Sequence, residues 1–350
     1  MPRRAVSTMV TIKEIANAVG VSSATVSRVL NYDATLSISA SKRQAVIETA
    51  EALNYATPRS RNRANGLNGA VQALSPGAGK IALVHFLRPP QELTDPYYIG
   101  VRLGIENRCR ALQMDVIKVY HADSLPDPKL LSDASGVIAI GRHTEEEVEW
   151  LRQHSRIVVF ADFCPQEDLD DSVESNIKLA MRKLLTALHE KGYRRIGFIG
   201  WVEHINQVPH HYIERRCTAY IDWMKQAGLF EPELCMTEHL TPASGYNLAR
   251  AMMQTEAPPE VIIACNDNMA IGAYRAMLEL GLKIPDDISI ASFNDIPVAQ
   301  LLNPPLSTVH IPAELIGETA VDLLLERFAG RDVTKTVVLS TDIIWRDSTR

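Results

Sequence analysis

The local fold of the N-terminal part is decided by residues 10–31, VTIKEIANAVGVSSATVSRVLN. Thr11 and Glu14 have the spacing of a capping box, in which two side chains satisfy backbone amides at the start of a helix. Apolar residues then recur with a helical period, at Ile12, Ile15, Ala16 and Val19. Gly20 ends this helix, and Ser22 can begin the next one. The stretch therefore predicts two short helices joined by a tight turn.

A third short helix is predicted to follow, beginning at Ser39 or Ser41. Its apolar stripe consists of Val46, Ile47, Ala50 and Leu53, and the inward residues of the second helix are Val26, Val29 and Leu30. Three short helices with a glycine turn between the first two are typical of a helix-turn-helix unit.

The second helix carries side chains that suit DNA, namely Ser22, Ser23, Thr25, Ser27 and Arg28. Short hydroxyl side chains can approach phosphates closely, and an arginine can donate two hydrogen bonds to the edge of a guanine. This helix is therefore predicted to enter the major groove of double-stranded DNA.

The charge distribution supports the same interpretation. The chain of 350 residues has a formal net charge of −6, but residues 1–70 contain nine basic and four acidic residues. Residues 1–70 therefore have a net charge of +5, whereas the remaining residues have a net charge of −11. A basic head on an acidic body is a pattern that indicates binding to nucleic acid.

The chain changes character after the head. Residues 57–80 contain two prolines, four glycines and three arginines without a sustained apolar period, which predicts a linker or hinge. Short apolar runs then alternate with amphipathic segments. The predicted strands are Ile81–Phe86, Val116–Val119, Gly136–Ile140, Ile157–Ala161, Ile196–Ile199, Val261–Cys265 and Ile288–Ser292, and the predicted helices include Tyr97–Leu112, Asn176–Glu190, Arg216–Ala227 and Met269–Leu280. This alternation predicts parallel α/β sheets in two doubly wound lobes.

Polar side chains follow several of these strands. Asp162, Asn266 and Asn294 come directly after three predicted strands, and Arg216 opens the helix after a fourth. Ligands of open α/β sheets bind beyond the carboxyl ends of the strands, so these four residues are candidates for binding the hydroxyls of a small sugar. Asp162 and Asn266 could instead cap loops, and Asp267 is expected to cap the following helix.

Other protein classes are disfavoured. The five cysteines are dispersed, which indicates reduced structural thiols, and no apolar run approaches the length of a membrane span. Residues 1–10 do not read as a secretory signal, so a cytoplasmic protein without membrane association is expected. The sequence contains no phosphate-binding or nucleophile motif of the kind that would indicate an enzyme, and no cofactor is expected. The adjacent histidines His210 and His211 have no further candidate ligand at the spacing of a metal site.

The sequence resembles the lactose-repressor family of transcriptional regulators. The resemblance lies in Gly20-Val21-Ser22, Thr25-Val26-Ser27-Arg28-Val29, Asn31 and Leu53-Asn54-Tyr55, and it continues in residues 266–273, 285–290, 294–297 and 304–309. It implies an all-α helix-turn-helix head at residues 1–57, a hinge at 58–79, and an effector-binding and dimerisation domain at 80–350. That domain is expected to resemble periplasmic sugar-binding proteins, with one lobe at about 80–172 and 310–332 and the other at about 173–307 and 335–350.

The resemblance also implies roles for residues of the head. Arg28 matches a base-reading position, and Ser23 and Ala24 stand where the family varies residues to select an operator. Phosphate contacts are implied for Thr11, Ser22, Thr25, Ser27, Asn31 and Ser39, although Thr11, Ser22 and Ser39 are also plausible helix caps.

The hinge departs from the family pattern. After Pro58 and Arg61, the position expected to hold a minor-groove leucine is occupied by Ala64 or a neighbour, and Leu67 comes three residues late. Either Leu67 inserts into the minor groove after a shift in register, or the hinge functions without an inserted leucine.

In the effector domain, the resemblance agrees with Asp162, Arg216, Asn266 and Asn294 as effector contacts. Asn294 and Ile311 differ from the residues of the lactose repressor itself, so the ligand is left open between a sugar, with galactosides first, and a purine corepressor.

The implied assembly is a homodimer on operator DNA, because no leucine heptad follows the strand-like residues 337–345. A sugar-transport protein or an α/β enzyme would lack the basic head.

Overall fold

The computed structural model describes residues 12–30, 38–52, 79–120, 125–201 and 214–350. The chain divides into two compact units, Met1–Gly69 and Ala70–Arg350. The predicted fold class is confirmed, since the first unit contains the helix-turn-helix and the second contains two lobes, each built on a six-stranded sheet. No helix in the described ranges is long and apolar enough to span a membrane.

Three helices form the described part of the head: α1 (Ile12–Val19), α2 (Ser23–Leu30) and α3 (Ala40–Ala52). Their shared core consists of Ile15, Ala16, Val26, Val29, Val46 and Ala50. Gly20 has a φ of +70°, a left-handed conformation that ends α1 and redirects the chain into α2. The predicted turn is therefore present, and Val46 and Ala50 of the predicted third stripe join this core, whereas the side chains of Ile47 and Leu53 lie outside the described parts.

The first lobe of the second unit contains a wholly parallel sheet of order β11-β5-β4-β3-β1-β2. Its strands are β1 (Lys80–His85), β2 (Asp115–Tyr120), β3 (Gly136–Ile140), β4 (Val158–Ala161), β5 (Asp171–Ser175) and β11 (Thr336–Leu339). Its helices are α4 (Pro89–Glu92), α5 (Pro96–Ala111), α6 (Glu145–His154) and α11 (Ala313–Phe328). Strands β1 and β3 are almost wholly buried, as expected for a sheet covered on both faces.

The second lobe repeats this plan with the order β12-β10-β9-β8-β6-β7. Its strands are β6 (Ile196–Trp201), β7 (Cys235–Glu238), β8 (Val261–Ala264), β9 (Ser289–Asn294), β10 (Ser307–His310) and β12 (Asp342–Ile344). Its helices are α7 (Ile177–Glu190), α8 (Arg215–Gln226), α9 (Pro242–Met252) and α10 (Asp267–Glu279). Among the described strands of this lobe, only β12 is antiparallel to its neighbour. Both sheets reverse their strand order next to the first strand, which creates two switch points for ligand binding.

The chain passes between the lobes three times, after β5, β10 and β11. Two predicted boundaries need correction. Strand β5 continues to Ser175 in the first sheet, beyond the expected boundary at residue 172. Residues 336–339 also belong to the first lobe rather than the second, because Thr336–Leu339 pair in parallel with Ser172–Ser175. An edge strand is partly exposed and short, so its apolar pattern does not reveal which sheet it joins.

Candidate functional site

The exposed face of α2 carries the residues predicted to read bases. Ser23, Ala24 and Arg28 are exposed, whereas Val26 and Val29 are buried on the opposite side. Because successive residues of a helix are rotated by about 100°, the three exposed residues share one face. This face has the size and chemistry of a major-groove reader, with one long donor among short side chains.

Ser22 and Ser39 cap helices in the structure. The Ser22 hydroxyl accepts a hydrogen bond from the Thr25 amide at 3.0 Å and lies 2.8 Å from the Thr25 hydroxyl. The Ser39 hydroxyl accepts from the Lys42 amide at 3.4 Å. Since both hydroxyls are exposed, capping and phosphate binding are compatible roles.

Several predicted residues lie outside the described parts of the chain. They are Thr11, Asn31, Pro58, Arg61, Ala64, Leu67, His210 and His211. Their roles stay predictions from the sequence.

A cavity of about 440 Å³ lies between the two lobes of the second unit. It is at the carboxyl ends of the parallel strands, where the switch points of the two sheets face each other. Its lining includes four carboxylates (Asp95, Asp162, Glu174, Glu214), three arginines (Arg142, Arg215, Arg216) and four aromatic rings (Phe86, Tyr98, Phe163, Trp201). Small-molecule pockets typically measure roughly 300–1,000 Å³ and combine apolar walls with a few convergent polar groups.

Arg216 is held rigidly in this cavity. Its Nε donates to Glu214 Oε1 at 2.8 Å, and its Nη1 donates to the carbonyl oxygen of Cys265. The guanidinium carbon lies 5.7 Å from the centre of the Phe293 ring. Glu214 also caps α8, because its Oε2 accepts from the amides of Arg216 and Cys217 at 3.0 and 3.2 Å. One carboxylate therefore fixes both the start of α8 and the guanidinium of Arg216.

Asp162 faces the same cavity from the first lobe. It follows β4 with a φ of +63°, which turns the chain away from the sheet. Burial raises the pKa of its carboxyl from 3.8 to about 6, although the hydroxyls of Tyr97 and Tyr98 oppose part of this shift. Burial also raises the pKa of both tyrosines well above 10, so each is a neutral hydroxyl beside an acceptor.

The two predicted asparagines do not line this cavity. Asn266 is buried and caps α10, since its Oδ1 accepts from the Met269 amide at 2.9 Å. The cap was expected to be Asp267, and that prediction is wrong. The Asp267 carboxylate instead accepts from Thr308 Oγ1 at 2.8 Å, the Ile296 amide at 2.7 Å and the Ser292 hydroxyl. Asn294 ends β9 with a φ of +107°, and an effector contact for it stays a prediction.

Sequence reasoning missed two interlobe contacts beside the cavity. Arg215 Nη1 of the second lobe lies 2.8 Å from Glu174 Oε1 of the first. Asn268 Nδ2 of α10 donates to the Thr94 carbonyl oxygen at 3.1 Å. No local spacing predicts these pairs, because their partners are far apart in the chain. Asp95 could have been found, because an Asp-Pro pair before an amphipathic run is a helix-start signal.

The cavity lining includes the buried donors Ser175 Oγ and Trp201 Nε1, which have no hydrogen-bond partner among the described residues. Buried polar groups in proteins are almost always hydrogen-bonded, and leaving one unsatisfied costs about 1–3 kcal/mol. A polar ligand in the cavity would satisfy them.

A wider depression of about 710 Å³ lies at the opposite edge of the first sheet. Only the first lobe lines it, near the starts of β3 and β4. Its Arg152 and Arg327 are already engaged by Asp170 and Asp171. Because it lies away from the carboxyl ends of the strands, the smaller interlobe cavity is the better candidate for an effector site.

A helix-turn-helix head followed by a two-lobed binding domain defines a class of ligand-responsive DNA-binding regulators. Residues 11–58 match the family model of bacterial regulatory proteins, lacI family, and residues 185–349 match a periplasmic binding protein-like domain. The HTH-type transcriptional repressor MelR of Bacillus subtilis (strain 168) is 34% identical over 346 residues, which cover 97% of each protein. The chain belongs to the lacI family of bacterial regulatory proteins and is a helix-turn-helix transcriptional regulator.

Two solved structures share its fold. A complex of the transcriptional regulator CelR with cellobiose has a TM-score of 0.68 and 22% identity, covering 97% of this chain and 99% of the other. The lac repressor dimer bound to operator and the anti-inducer ONPF has a TM-score of 0.66 and 22% identity, covering 98% and 99%. Both likenesses show the fold.

Proposed function

We propose that this protein is a cytoplasmic transcriptional repressor whose affinity for operator DNA is lowered when a small sugar binds between its lobes. The observation that carries the proposal is the interlobe cavity, to which the first lobe contributes Asp162 and the second contributes Arg216. A ligand that contacts both lobes favours one arrangement of the lobes over another. Such a ligand can shift a conformational equilibrium by its differential affinity.

The chemistry of the cavity favours an uncharged polyol. Its four carboxylates outnumber its three arginines, and Arg215 and Arg216 are each paired with a carboxylate, Glu174 and Glu214. Carboxylates accept hydrogen bonds from sugar hydroxyls, arginines donate to ring and glycosidic oxygens, and aromatic rings cover the apolar faces. The cellobiose bound to CelR supports a sugar of this size. A galactoside is the first candidate within this class.

We propose a homodimer as the DNA-binding form. Leu278 on α10 and Leu301 are 79% and 76% exposed. Tyr274 lies one turn before Leu278 and donates to the carbonyl oxygen of Pro304, three residues after Leu301, so the segments that carry the two leucines are neighbours in the second lobe. Exposed leucines on one surface indicate an interface. Two heads would then read a pseudo-palindromic operator, as in the operator complex of the lac repressor dimer.

Effector and operator are linked thermodynamically in this proposal. Each prefers a different state of the protein, so each lowers the affinity for the other by the same factor, typically about 5–150-fold.

The test is a fluorescence-anisotropy titration of the full-length protein with a duplex from the promoter region of its own gene. Lactose, cellobiose and hypoxanthine are then added separately. Release of DNA by a disaccharide is expected. Tightened DNA binding with hypoxanthine would instead identify a purine corepressor and contradict the sugar proposal.

Arg216→Ala is expected to retain DNA binding but to lose release by the sugar, because the variant removes the central donor of the cavity. Arg156→Ala, an exposed arginine of the wider depression, is the matched control and should respond like the wild type. A normal response of Arg216→Ala would exclude this cavity as the effector site.

A further inference from the structure

Two cysteine side chains meet at the first turn of α8, the helix whose Arg215 and Arg216 line the interlobe cavity. Cys217 is the third residue of α8, and Cys235 is the first residue of β7. Their sulfur atoms lie 3.9 Å apart. We propose that this pair is a modification site, at which a hydroperoxide forms a disulfide that weakens effector binding. The effect on the effector rests on the proposed function, whereas the disulfide itself does not.

The surroundings hold the two sulfur atoms next to each other. Cys235 is paired with Phe198 across the ladder of β6 and β7. The Phe198 ring stacks at 5.3 Å on Tyr220, which follows Cys217 by one helical turn. Tyr220 is anchored in turn, because its hydroxyl donates to the Ile196 carbonyl oxygen at 2.7 Å. Helix α8, which carries Cys217, is therefore packed by a rigid aromatic contact on β6, the strand paired with the Cys235 strand β7.

Exposure and acidity distinguish this pair from the other thiols. Cys235 is partly exposed, whereas Cys217 is 3% exposed. A hydrogen bond from the Cys217 thiol lowers the pKa of Cys235. Burial raises the pKa of Cys109 and Cys265 to about 12 and also raises that of Cys164. Because the thiolate is the reactive form, Cys235 is the thiol expected to react first.

The reaction balances with a hydroperoxide as the oxidant. The Cys235 thiolate attacks one peroxide oxygen, and the O–O bond breaks. The attacked oxygen stays on Cys235 as a sulfenic acid, and the other oxygen departs and is protonated to an alcohol or water. The Cys217 sulfur then attacks the sulfenic sulfur, the S–S bond forms, and the hydroxyl leaves as water with the Cys217 proton. The two thiols are oxidised by two electrons, and the peroxide is reduced by two.

The disulfide would disturb the effector site through Glu214. The Cys217 amide donates to Glu214 Oε2, and Glu214 Oε1 holds Arg216 Nε. Closing the gap between the sulfur atoms draws the first turn of α8 toward β7. The carboxylate then loses its aligned amide, and Arg216 loses its fixed orientation. Oxidation is therefore expected to weaken effector binding by about fivefold or more.

The experiment treats the reduced full-length protein with hydrogen peroxide and measures intact mass, a tryptic map and sugar affinity by calorimetry. The sugar is the one that releases DNA most effectively in the titration above. A mass loss of about 2 Da, with one cross-link between the peptides of Cys217 and Cys235, is expected. Dithiothreitol should restore both the mass and the affinity.

Variants separate the possible outcomes. Cys235→Ser should bind the sugar normally when reduced and should show neither the cross-link nor the loss of affinity. Cys109→Ser, which removes a buried thiol of α5, should behave like the wild type. Oxygen addition without a cross-link, or a cross-link that leaves sugar affinity unchanged, would overturn the proposal. Failure of the reduced protein to bind any sugar would contradict the proposed function, and the mass measurement would still decide whether the disulfide forms.

Discussion

At the residue scale, the cavity depends on groups that are held in place before a ligand arrives. Arg216 is fixed by Glu214 and by the Cys265 carbonyl, so little side-chain entropy is lost when it binds a ligand. Asp162 instead faces the hydroxyls of Tyr97 and Tyr98. The two lobes therefore contribute different groups to the cavity, since the second lobe presents a paired cation and the first a carboxylate acceptor.

The raised pKa of Asp162 predicts a pH dependence of stability. The folded state holds the proton more tightly than the unfolded state, so this group's contribution to stability falls as the pH rises from about 4 to about 6. In Asp162→Asn this contribution disappears. Between pH 4 and pH 7, the unfolding free energy of the variant should therefore rise by about 1–2 kcal/mol relative to that of the wild type. The full pKa shift would give a larger rise, but partial exposure of the side chain screens part of it.

Urea unfolding at several pH values measures this difference. Glu256→Gln, which changes an exposed loop carboxyl, is the control and should follow the wild-type curve. A constant difference between Asp162→Asn and the wild type at all pH values would contradict the assigned shift.

Arg28 is expected to carry much of the base discrimination of α2, because its exposed neighbours Ser23 and Ala24 are short. Arg28→Ala should lose about 1–3 kcal/mol of discrimination at one base pair. Arg28→Lys should lose it too while keeping the charge, since an ammonium lacks the planar pair of donors. A binding-site selection with randomised operators tests both variants, and unchanged selectivity would show that Arg28 contacts only phosphate.

At the scale of elements, both lobes contain one pair of helices in very close contact. In the first lobe, a Cβ added to Gly317 of α11 would lie 2.1 Å from the Val101 carbonyl oxygen of α5. A Cβ on Gly104 of α5 would in turn lie 2.0 Å from the Glu314 carbonyl oxygen. Helix α5 begins at the cavity with Asp95 as its cap, so this contact also determines where Asp95 stands. Backbone atoms cannot move aside as a flexible side chain can.

Gly317→Ala is therefore expected to destabilise the second unit by about 1–3 kcal/mol. Thermal unfolding followed by calorimetry measures the effect. Leu315→Ala changes a half-exposed residue of the same helix and should change stability much less. Equal stabilities of Gly317→Ala and the wild type would show that the helices can separate without cost.

At the scale of the whole molecule, the proposed dimer surface is the feature open to a direct test. Leu278→Glu should raise the dimer dissociation constant by at least about tenfold, which corresponds to about 1.4 kcal/mol, because a charge would be buried in an apolar contact. Sedimentation velocity measures the oligomeric state. Leu169→Glu alters an exposed leucine of the first lobe and is the control. A Leu278→Glu protein that stays dimeric would exclude this surface.

The amino-acid pattern alone predicts the helix-turn-helix, the seven strands with continuous apolar runs, and two cavity residues, Asp162 and Arg216. These features depend on local spacing and on the rule that ligands bind at the carboxyl ends of parallel strands. The pattern does not predict that residues 336–339 join the first sheet, that Asn266 rather than Asp267 caps α10, or that Glu174 pairs with Arg215. The physical reason is that edge pairing, competition between neighbouring polar side chains and interlobe contacts depend on groups brought together from distant parts of the chain. Local hydrophobic periodicity carries no information about such long-range contacts.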